Sequence, residues 1–375
     1  MAKPQVINHD FSDGFDRDPE RSSTLAAPYY FDPAVYEKEK ETIFYRSWNF
    51  VCHVEQVRDI GGYATAMVAD QNIFVIRGKD RVLRGFYNVC QHRAHELLKG
   101  SGKRKVIACP YHGWTYETDG RLKNARNSQD LPGFNPGEFG LKPVQVEEFS
   151  HFIFINLDPG APSLNSQTGE LQAEIRSYVP HLDKLIYALR LRYDIATNWK
   201  NAIDNFLECY HCRIAHPAFA DLIDMPTYRS KTHGIYSSHT ARSGAGDNKA
   251  YTFEKSDDDL DFGAWWLWPN VNFIVNPGES NVVVMHMMPS GPETTIEHLD
   301  FYFLTEKLDE QQRAVIEYFD KVLNPEDIGL VESVQRGLHS RGYHQSRYIV
   351  DRDRTELSEH AVHHFHSLVL DALKG

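Results

Sequence analysis

Hydrophobic residues recur along the chain with two different spacings. Apolar positions spaced like one face of a helix predict helices over residues 33–48, 165–189, 197–215, 309–323 and 325–338. Shorter apolar runs, separated by turns that contain glycine, predict strands throughout 47–157 and again at 270–275, 281–288 and 294–304. The pattern therefore predicts an α+β protein, in which a small antiparallel all-β domain is followed by a sheet with helices segregated on it.

Composition and charge agree with a folded chain and exclude several classes of function. The 375 residues are 41% hydrophobic and 25% charged, which is typical of globular proteins with a substantial core. A net charge of −12 disfavours binding to nucleic-acid phosphate. Because the sequence has neither a signal peptide nor about 18 uninterrupted apolar residues, we expect a cytoplasmic protein that binds no membrane.

Cysteine and histidine occur together twice in the predicted β domain. All five cysteines lie within three residues of a histidine, and five are too few for a disulfide framework of this size. Cys90 with His92, and Cys109 with His112, each follow a strand-like run. Two hairpin loops that each supply one thiolate and one imidazole match a Rieske [2Fe–2S] centre. A structural zinc site is the alternative, but it usually pairs Cys with Cys before His with His.

A second group of possible metal ligands lies in the helix predicted over 197–215. Glu208 and His211 fall on one face of that helix, whereas His216 lies about 140° further round an ideal helix. The two imidazoles converge only if the helix unwinds near Pro217, which disfavours helical geometry at the residue before it. Two histidines with one carboxylate form the facial triad of non-haem Fe(II) oxygenases.

Two acidic residues compete for the third position of this triad. Glu208 is near in sequence, whereas Asp327 falls in the first turn of a predicted helix, with Asn324 as its cap and Pro325 at its first position. From the residues alone, a favourable interaction with the helix dipole explains Asp327 better than metal binding does.

A Cys-x-x-Cys motif, Cys209 and Cys212, lies beside these residues. Such a motif also occurs in redox pairs and in zinc half-sites. Because it falls in the middle of a predicted helix without a second cysteine pair, we interpret both thiols as packing residues.

Three longer strings carry a family resemblance. They are FYNVC at 86–90, NFLECYHC at 205–212, and PED at 325–327 followed by LVESVQ at 330–335. With the order of the metal motifs, they make the chain similar over nearly its whole length to the oxygenase α-subunits of Rieske non-haem iron oxygenases. Within that family it most resembles the carnitine monooxygenase oxygenase components and related quaternary-ammonium (betaine) monooxygenases.

The resemblance implies a specific arrangement of domains and metals. A Rieske domain at residues 47–157 would be inserted in a helix-grip catalytic domain made from 1–46 and 158–375. The cofactors would be the [2Fe–2S] cluster and a mononuclear Fe(II) held by His211, His216 and Asp327, which replaces the dipole interpretation of Asp327. Glu208 would bridge His211 to the neighbouring subunit's His112 in a homotrimer.

The function implied by the resemblance is a monooxygenase reaction that needs an electron-transfer partner. A separate NAD(P)H-dependent flavin and iron–sulfur reductase would supply electrons, and O2 would supply one oxygen atom to hydroxylate a small quaternary ammonium substrate beside its nitrogen, with C–N cleavage or N-demethylation. Six aromatic residues are candidates for an enclosure of the cation: Phe219, Tyr228, Trp265, Trp266, Trp268 and Phe273. The alternatives are an aromatic-ring-hydroxylating dioxygenase α-subunit, a Rieske electron carrier and a structural zinc protein.

Overall fold

The computed structural model describes residues 14–253 and 261–374, which form two compact units. One unit is Phe44–Ser166, and the other combines the described residues before position 44 with those from Gln167 onward. Residues 1–13 of the predicted 1–46 segment lie outside the described residues. Within the described ranges, no helix is long and apolar enough to cross a membrane.

Helix α1 (Pro33–Thr42) belongs to the unit that includes the residues from Gln167 onward and follows a short 3₁₀ helix at Ala27–Tyr30. It begins after Asp32, whose side chain accepts a hydrogen bond from the backbone nitrogen of Ala34. The helix is shorter than the predicted 33–48, because the chain passes after Thr42 into a 3₁₀ turn over Phe44–Arg46.

Strands make up almost all the regular structure of Phe44–Ser166. In chain order they are β1 (Asn49–His53), β2 (Gly62–Val68), β3 (Gln71–Arg77), β4 (Leu83–Tyr87), β5 (Ser101–Lys103), β6 (Ile107–Ala108), β7 (Thr115–Tyr116), β8 (Leu122–Asn124), β9 (Pro143–Phe149) and β10 (Phe152–Asn156). The larger sheet has the order β1-β10-β9-β4-β3-β2-β5, and β6, β7 and β8 form a second sheet. All pairings are antiparallel, which confirms the predicted all-β domain.

A seven-stranded antiparallel sheet forms the centre of the other unit. Its strands are β11 (Ile186–Ile195), β12 (Ile223–His233), β13 (Tyr236–Ser243), β14 (Phe262–Leu267), β15 (Val271–Val275), β16 (Asn281–Gly291) and β17 (Thr294–Phe303). Their order in the sheet is β11-β17-β16-β15-β14-β13-β12. The three strands predicted in this half are present as β15, β16 and β17, and the other four were not predicted.

The helices that follow β10 are more numerous than predicted, and several are shorter. They are α2 (Leu164–Gln167), α3 (Leu171–Tyr178), α4 (Trp199–Phe206), α5 (Cys212–Ala215), α6 (Phe219–Leu222), α7 (Glu310–Tyr318), α8 (Asn324–Leu338) and α9 (His360–Lys374). The single helix predicted over 165–189 is wrong. The chain instead forms two short helices, α2 and α3, of which the second ends at Tyr178, and strand β11 begins at Ile186. Helix α9 was not predicted.

The helix predicted over 197–215 is also wrong, because α4 ends at Phe206 and α5 begins only at Cys212. Between them, the Glu208 side chain accepts a hydrogen bond from the His211 backbone nitrogen at 3.2 Å, a local contact that competes with helical pairing. The chain therefore unwinds before His211 rather than only at Pro217.

Helices α7 and α8 are continuous rather than separate. A π-helical segment, Phe319–Leu323, joins them, so α8 has no free N-terminus for a cap. The predicted capping role of Asn324 is wrong, since its side-chain nitrogen donates instead to Glu297 Oε1 at 2.8 Å.

Candidate functional site: two centres for metals

The first centre lies at two loop tips of the β unit. Cys90 and His92 follow β4, and Cys109 and His112 lie between β6 and β7. The ring centroids of His92 and His112 are 4.6 Å apart. Cys90 and Cys109 are both buried, and neither forms a disulfide bond. Two thiols and two imidazoles from separate loops are therefore brought together as a [2Fe–2S] cluster requires.

Neighbouring aromatic residues orient these four side chains. Trp114 stacks on the His92 ring at 4.8 Å with 9° between the planes. The Tyr116 hydroxyl accepts a hydrogen bond from the Gln91 backbone nitrogen at 3.0 Å and lies 3.3 Å from Cys90 Sγ. His112 Nδ1 is buried without a hydrogen-bond partner among the described residues, an orphaned atom that an iron ion would satisfy. The residues present thus fit a Rieske cluster.

The second centre joins three residues of the other unit. The Nε2 atoms of His211 and His216 lie 3.6 and 2.9 Å from Asp327 Oδ1, and one donor atom from each of the three residues falls within 4.8 Å of the others. His211 directly precedes α5 and His216 directly follows it, so the short helix turns both rings toward Asp327 on α8. Two imidazoles and one carboxylate fit a mononuclear iron with open coordination positions.

Each imidazole of this centre has a second carboxylate behind it. His211 Nδ1 lies 2.5 Å from Glu208 Oε1, and His216 Nδ1 lies 2.8 Å from Glu326 Oε2. Contacts of this kind fix the ring orientation and leave each Nε2 free to bind metal. Glu208 reaches His211 across an unwound turn, not along a helix face as predicted. The contact of Glu326 with His216 was not predicted from the sequence. Its position directly before Asp327 could have indicated it, because the two residues are adjacent on one helix.

The carboxylates of the second centre shift the pKa values of its residues. Burial lowers the pKa of His211, but the contacts with Asp327 and Glu208 outweigh burial and raise it to about 10. Burial raises the pKa of Asp327, but the two imidazoles outweigh this effect and lower it. These residues therefore favour positive charge between them, and a divalent cation supplies that charge as the imidazoles lose their protons.

Cys209 and Cys212 are joined by a disulfide bond. The interpretation of both as packing thiols in the middle of a helix is wrong, although both sulfurs are buried. The segment between α4 and α5 is not helical, and its conformation brings the two sulfur atoms into bonding distance. The prediction of a continuous helix did not anticipate this bond.

A cavity of about 100 Å³ opens onto the second centre. Two of the six aromatic residues predicted for substrate contact, Phe219 and Tyr228, line it. The remaining aromatic and methionine lining comes from residues that were not predicted: Phe206, Phe262, Met285, Met287 and Phe319. The pocket is therefore aromatic, as expected, but it is built mostly from other side chains.

The other four aromatic candidates do not line this cavity. On β14, Phe262 and Ala264 line it, so Trp265 points to the opposite face, where its indole nitrogen donates to Glu174 at 3.1 Å. Trp266 and Trp268 pack against Phe365 of α9. On β15, Ile274 lines the cavity and Phe273 alternates away from it. The alternation of side chains along the strands explains the positions of Trp265 and Phe273, whereas Trp266 and Trp268 lie further along the chain, against α9.

Comparison with known proteins places the chain in a family. The ring hydroxylating alpha subunit (catalytic domain) family matches residues 182–375, and the Rieske [2Fe–2S] domain matches 47–135. The carnitine monooxygenase oxygenase subunit of Acinetobacter pittii (strain PHEA-2) is 41% identical over 373 residues, which cover 98% of this chain and 99% of that protein. The chain therefore belongs to the ring-hydroxylating α-subunit family of Rieske oxygenases. It is an oxidoreductase whose cofactors are a Rieske [2Fe–2S] cluster and a mononuclear iron.

Two solved structures resemble this chain to different degrees. A quaternary ammonium Rieske monooxygenase in complex with L-carnitine is 39% identical, with a TM-score of 0.88 and coverage of 96% of this chain and 97% of that one. Naphthalene 1,2-dioxygenase from Rhodococcus sp. has a TM-score of 0.79 and 93% and 94% coverage, but only 19% identity. The second likeness shows the fold alone, so the ring-dioxygenase alternative gains no support beyond the shared fold.

Proposed function

We propose that this chain is the oxygenase component of a monooxygenase that hydroxylates the carbon beside the nitrogen of a quaternary ammonium compound of the carnitine or betaine type. The observation that carries the proposal is the cavity at His211, His216 and Asp327, because aromatic and acidic side chains line it together. The similar proteins named above act on or hold carnitine. The hydroxylated product is a carbinolamine, whose collapse cleaves the C–N bond or removes an N-methyl group as an aldehyde.

The two centres would have different roles, one in electron transfer and the other in O2 activation. Cys90 and Cys109 would hold one iron of the cluster and His92 and His112 the other, and His211, His216 and Asp327 would hold the mononuclear iron. When bound, the cluster would pass on electrons from the reductase, and the mononuclear iron would activate O2. The protein residues orient the ligands, since Trp114 stacks on His92 and Glu326 contacts His216 Nδ1. The largely apolar cavity lining excludes water from the substrate carbon.

The assembly that we propose is a homotrimer, served by a separate NAD(P)H-dependent flavin and iron–sulfur reductase in the cytoplasm. Apolar side chains at the surface near both centres support an interface between copies. Tyr210 and Ile214, on either side of His211, are 48% and 89% exposed. Tyr111 and Leu131, which lie around His112, are each 57% exposed. We place Glu208 at this interface, between His211 and the neighbouring subunit's His112.

The test of the proposed function is turnover by the iron-loaded protein with a surrogate reductase, NADH and O2. Substrates would be L-carnitine, other trimethylammonium compounds and, for comparison, naphthalene. We expect substrate-dependent NADH oxidation with the ammonium compounds and incorporation of one labelled oxygen atom from ¹⁸O₂ into the product. Incorporation of both atoms into naphthalene, with no reaction of any ammonium compound, would instead establish the ring dioxygenase.

A further inference from the structure

Glu297 is a buried carboxylate for which the described residues provide no cationic partner. Its side chain lies on β17, where the backbone pairs with Met287 of β16 and Tyr193 of β11, and the residue is 4% exposed. Burying a carboxylate is costly unless a positive charge or several hydrogen bonds compensate for it. Asn324 alone donates a hydrogen bond to it among the described residues, at 2.8 Å to Oε1.

The other buried acidic residues in the described ranges are all compensated. Glu39 pairs with Lys200 at 2.5 Å, Asp300 with Arg190 at 2.6 Å, and Glu356 with Arg213 at 2.8 Å. No lysine, arginine or histidine of the described chain forms an ion pair with Glu297. Within the described ranges, each buried carboxylate therefore has a cationic partner except that of Glu297, which lines the cavity.

The position of Glu297 indicates where a cation could bind, because its side chain lines the cavity. Glu297 lines the same cavity as Phe219, Tyr228 and Phe262, but it is not among the three residues whose donor atoms converge as a metal site. Two other acidic residues line this cavity, Glu208 and Asp327, and both contact His211. Glu297 is thus the acidic group of the cavity that is left for a ligand.

A quaternary ammonium group suits such a position. It carries a full positive charge but no N–H, so it binds through charge and aromatic contact rather than through directed hydrogen bonds. Burial raises the pKa of Glu297 to about 7, with a further contribution from the charge of Asp327 and an opposing one from Asn324. A cation bound in the cavity would favour the ionised carboxylate.

We propose that Glu297 is the counter-ion for the quaternary ammonium group of the substrate and selects ligands whose head group is cationic over ligands whose head group is uncharged. This inference rests on the proposed function and adds to it the residue that determines charge specificity. The carboxylate holds the ammonium group in the cavity that His211, His216 and Asp327 also line, so that a carbon bonded to nitrogen can face these three residues. Asn324 keeps the carboxylate oriented from the start of α8, three residues before Asp327.

The test compares binding to iron-loaded wild-type protein and to Glu297→Gln, which keeps the shape of the side chain and an oxygen acceptor for Asn324. The probes are L-carnitine and its isostere, in which an uncharged tert-butyl group replaces the trimethylammonium group and the carboxylate is retained, so the two differ only in the charge of that group. We expect the Kd of L-carnitine to rise at least about tenfold, because one partner of a buried charge pair is lost. The Kd of the isostere should stay within about twofold of the wild-type value, and iron content should not change.

Two further variants complete the design. Glu297→Asp keeps the charge and should bind L-carnitine more tightly than Glu297→Gln does. Glu306→Gln makes the same change at an exposed residue beyond β17 and should bind both probes like wild type. An unchanged Kd for L-carnitine in Glu297→Gln, an equal loss for both probes, or loss of the mononuclear iron would each overturn the inference. If wild-type protein itself bound no ammonium compound, the proposed function would fail as well, which is a different result.

Discussion

His216 is held at both ring nitrogens by two consecutive residues of one helix: Nε2 lies 2.9 Å from Asp327 Oδ1, and Nδ1 lies 2.8 Å from Glu326 Oε2. His216 itself is 2% exposed. Helix α8 therefore contributes both the proposed metal-binding carboxylate and the group that orients the neighbouring ligand. Because one helix carries both carboxylates, the contacts with Glu326 and Asp327 together fix the orientation of the His216 ring at the proposed metal site.

Glu326→Gln should weaken the mononuclear iron site without abolishing it. The amide can still contact His216 Nδ1, but it no longer adds negative charge behind the ring, and outer contacts of this kind are typically worth roughly 10- to 100-fold in metal affinity. The measurement is iron affinity by competition with a chelator, with the Rieske absorption spectrum as the internal control. Wild-type affinity in the variant would mean that Glu326 only satisfies a hydrogen bond.

Asp327→Ala should lose the mononuclear iron and turnover while retaining the Rieske spectrum. Removing the carboxylate leaves two imidazoles, which are too few to complete the facial set. Iron and acid-labile sulfide per subunit are measured after anaerobic preparation, and the iron content should fall from three atoms to two. Full iron content in Asp327→Ala would transfer the third ligand position to Glu208.

Cys109→Ser is the reciprocal variant. It removes one of the two thiolates of the proposed cluster, so the visible Rieske spectrum and the acid-labile sulfide should disappear. His211, His216 and Asp327 belong to a separate set, and we expect them still to bind one iron. Zinc in wild-type protein without sulfide would contradict the cluster assignment altogether.

Glu208→Gln should retain all three irons but slow electron transfer between the two centres. The side chain contacts His211 Nδ1 and, in the proposed trimer, meets the neighbouring subunit's His112. We expect single-turnover oxidation of the reduced Rieske cluster, after addition of substrate and O2, to slow by roughly 100-fold. Glu208→Asp keeps the charge and shortens the reach by one methylene. Oxidation at the wild-type rate in Glu208→Gln would require another electron path.

Acid should destabilise the protein partly through His239. This residue is 2% exposed, its Nδ1 lies 2.8 Å from the Tyr228 hydroxyl, and burial lowers its pKa from 6.5 to about 4. The unfolded chain takes up a proton below about pH 6.5 while the folded ring stays neutral, so stability falls as the pH drops from 6.5 toward 4. At pH 5.5 this contribution is about 1 kcal/mol.

The measurement for His239 is the change in free energy of unfolding in urea between pH 7.5 and pH 5.5. His239→Gln should lose about 1 kcal/mol less than wild type over this interval, because its side chain does not titrate. The same substitution at the exposed His344 is the control. An equal pH dependence in wild type and His239→Gln would show that the buried ring is protonated in the folded state.

Fold prediction from the sequence succeeded where local pattern and tertiary structure agree. The short strands between 47 and 157, and the strands now seen as β15, β16 and β17, have apolar runs bounded by turn residues. The helix predicted over 197–215 failed, because the Glu208 side chain bonds the backbone of His211 and interrupts an otherwise helical pattern. Strand β11 was not predicted, and the helix predicted over 165–189 covers its first four residues; its edge position leaves it only partly buried, so its hydrophobic pattern is weak.

The sequence by itself determined the chemistry of this protein, because Cys90, His92, Cys109 and His112 are metal-ligand residue types spaced along two hairpin loops, and local spacing is a property of the chain. The tertiary structure decided which carboxylates join the histidines. Asp327 and Glu326 meet His216 across 111 and 110 residues of sequence, and Asn324 meets Glu297 across 27. Such pairs form only when α8 packs beside the sheet, since neither residue type nor periodicity encodes which distant side chains will face one cavity. The positions of Trp265 and Phe273 away from the cavity have the same cause: composition shows that aromatic residues are present, but strand register decides which face they occupy.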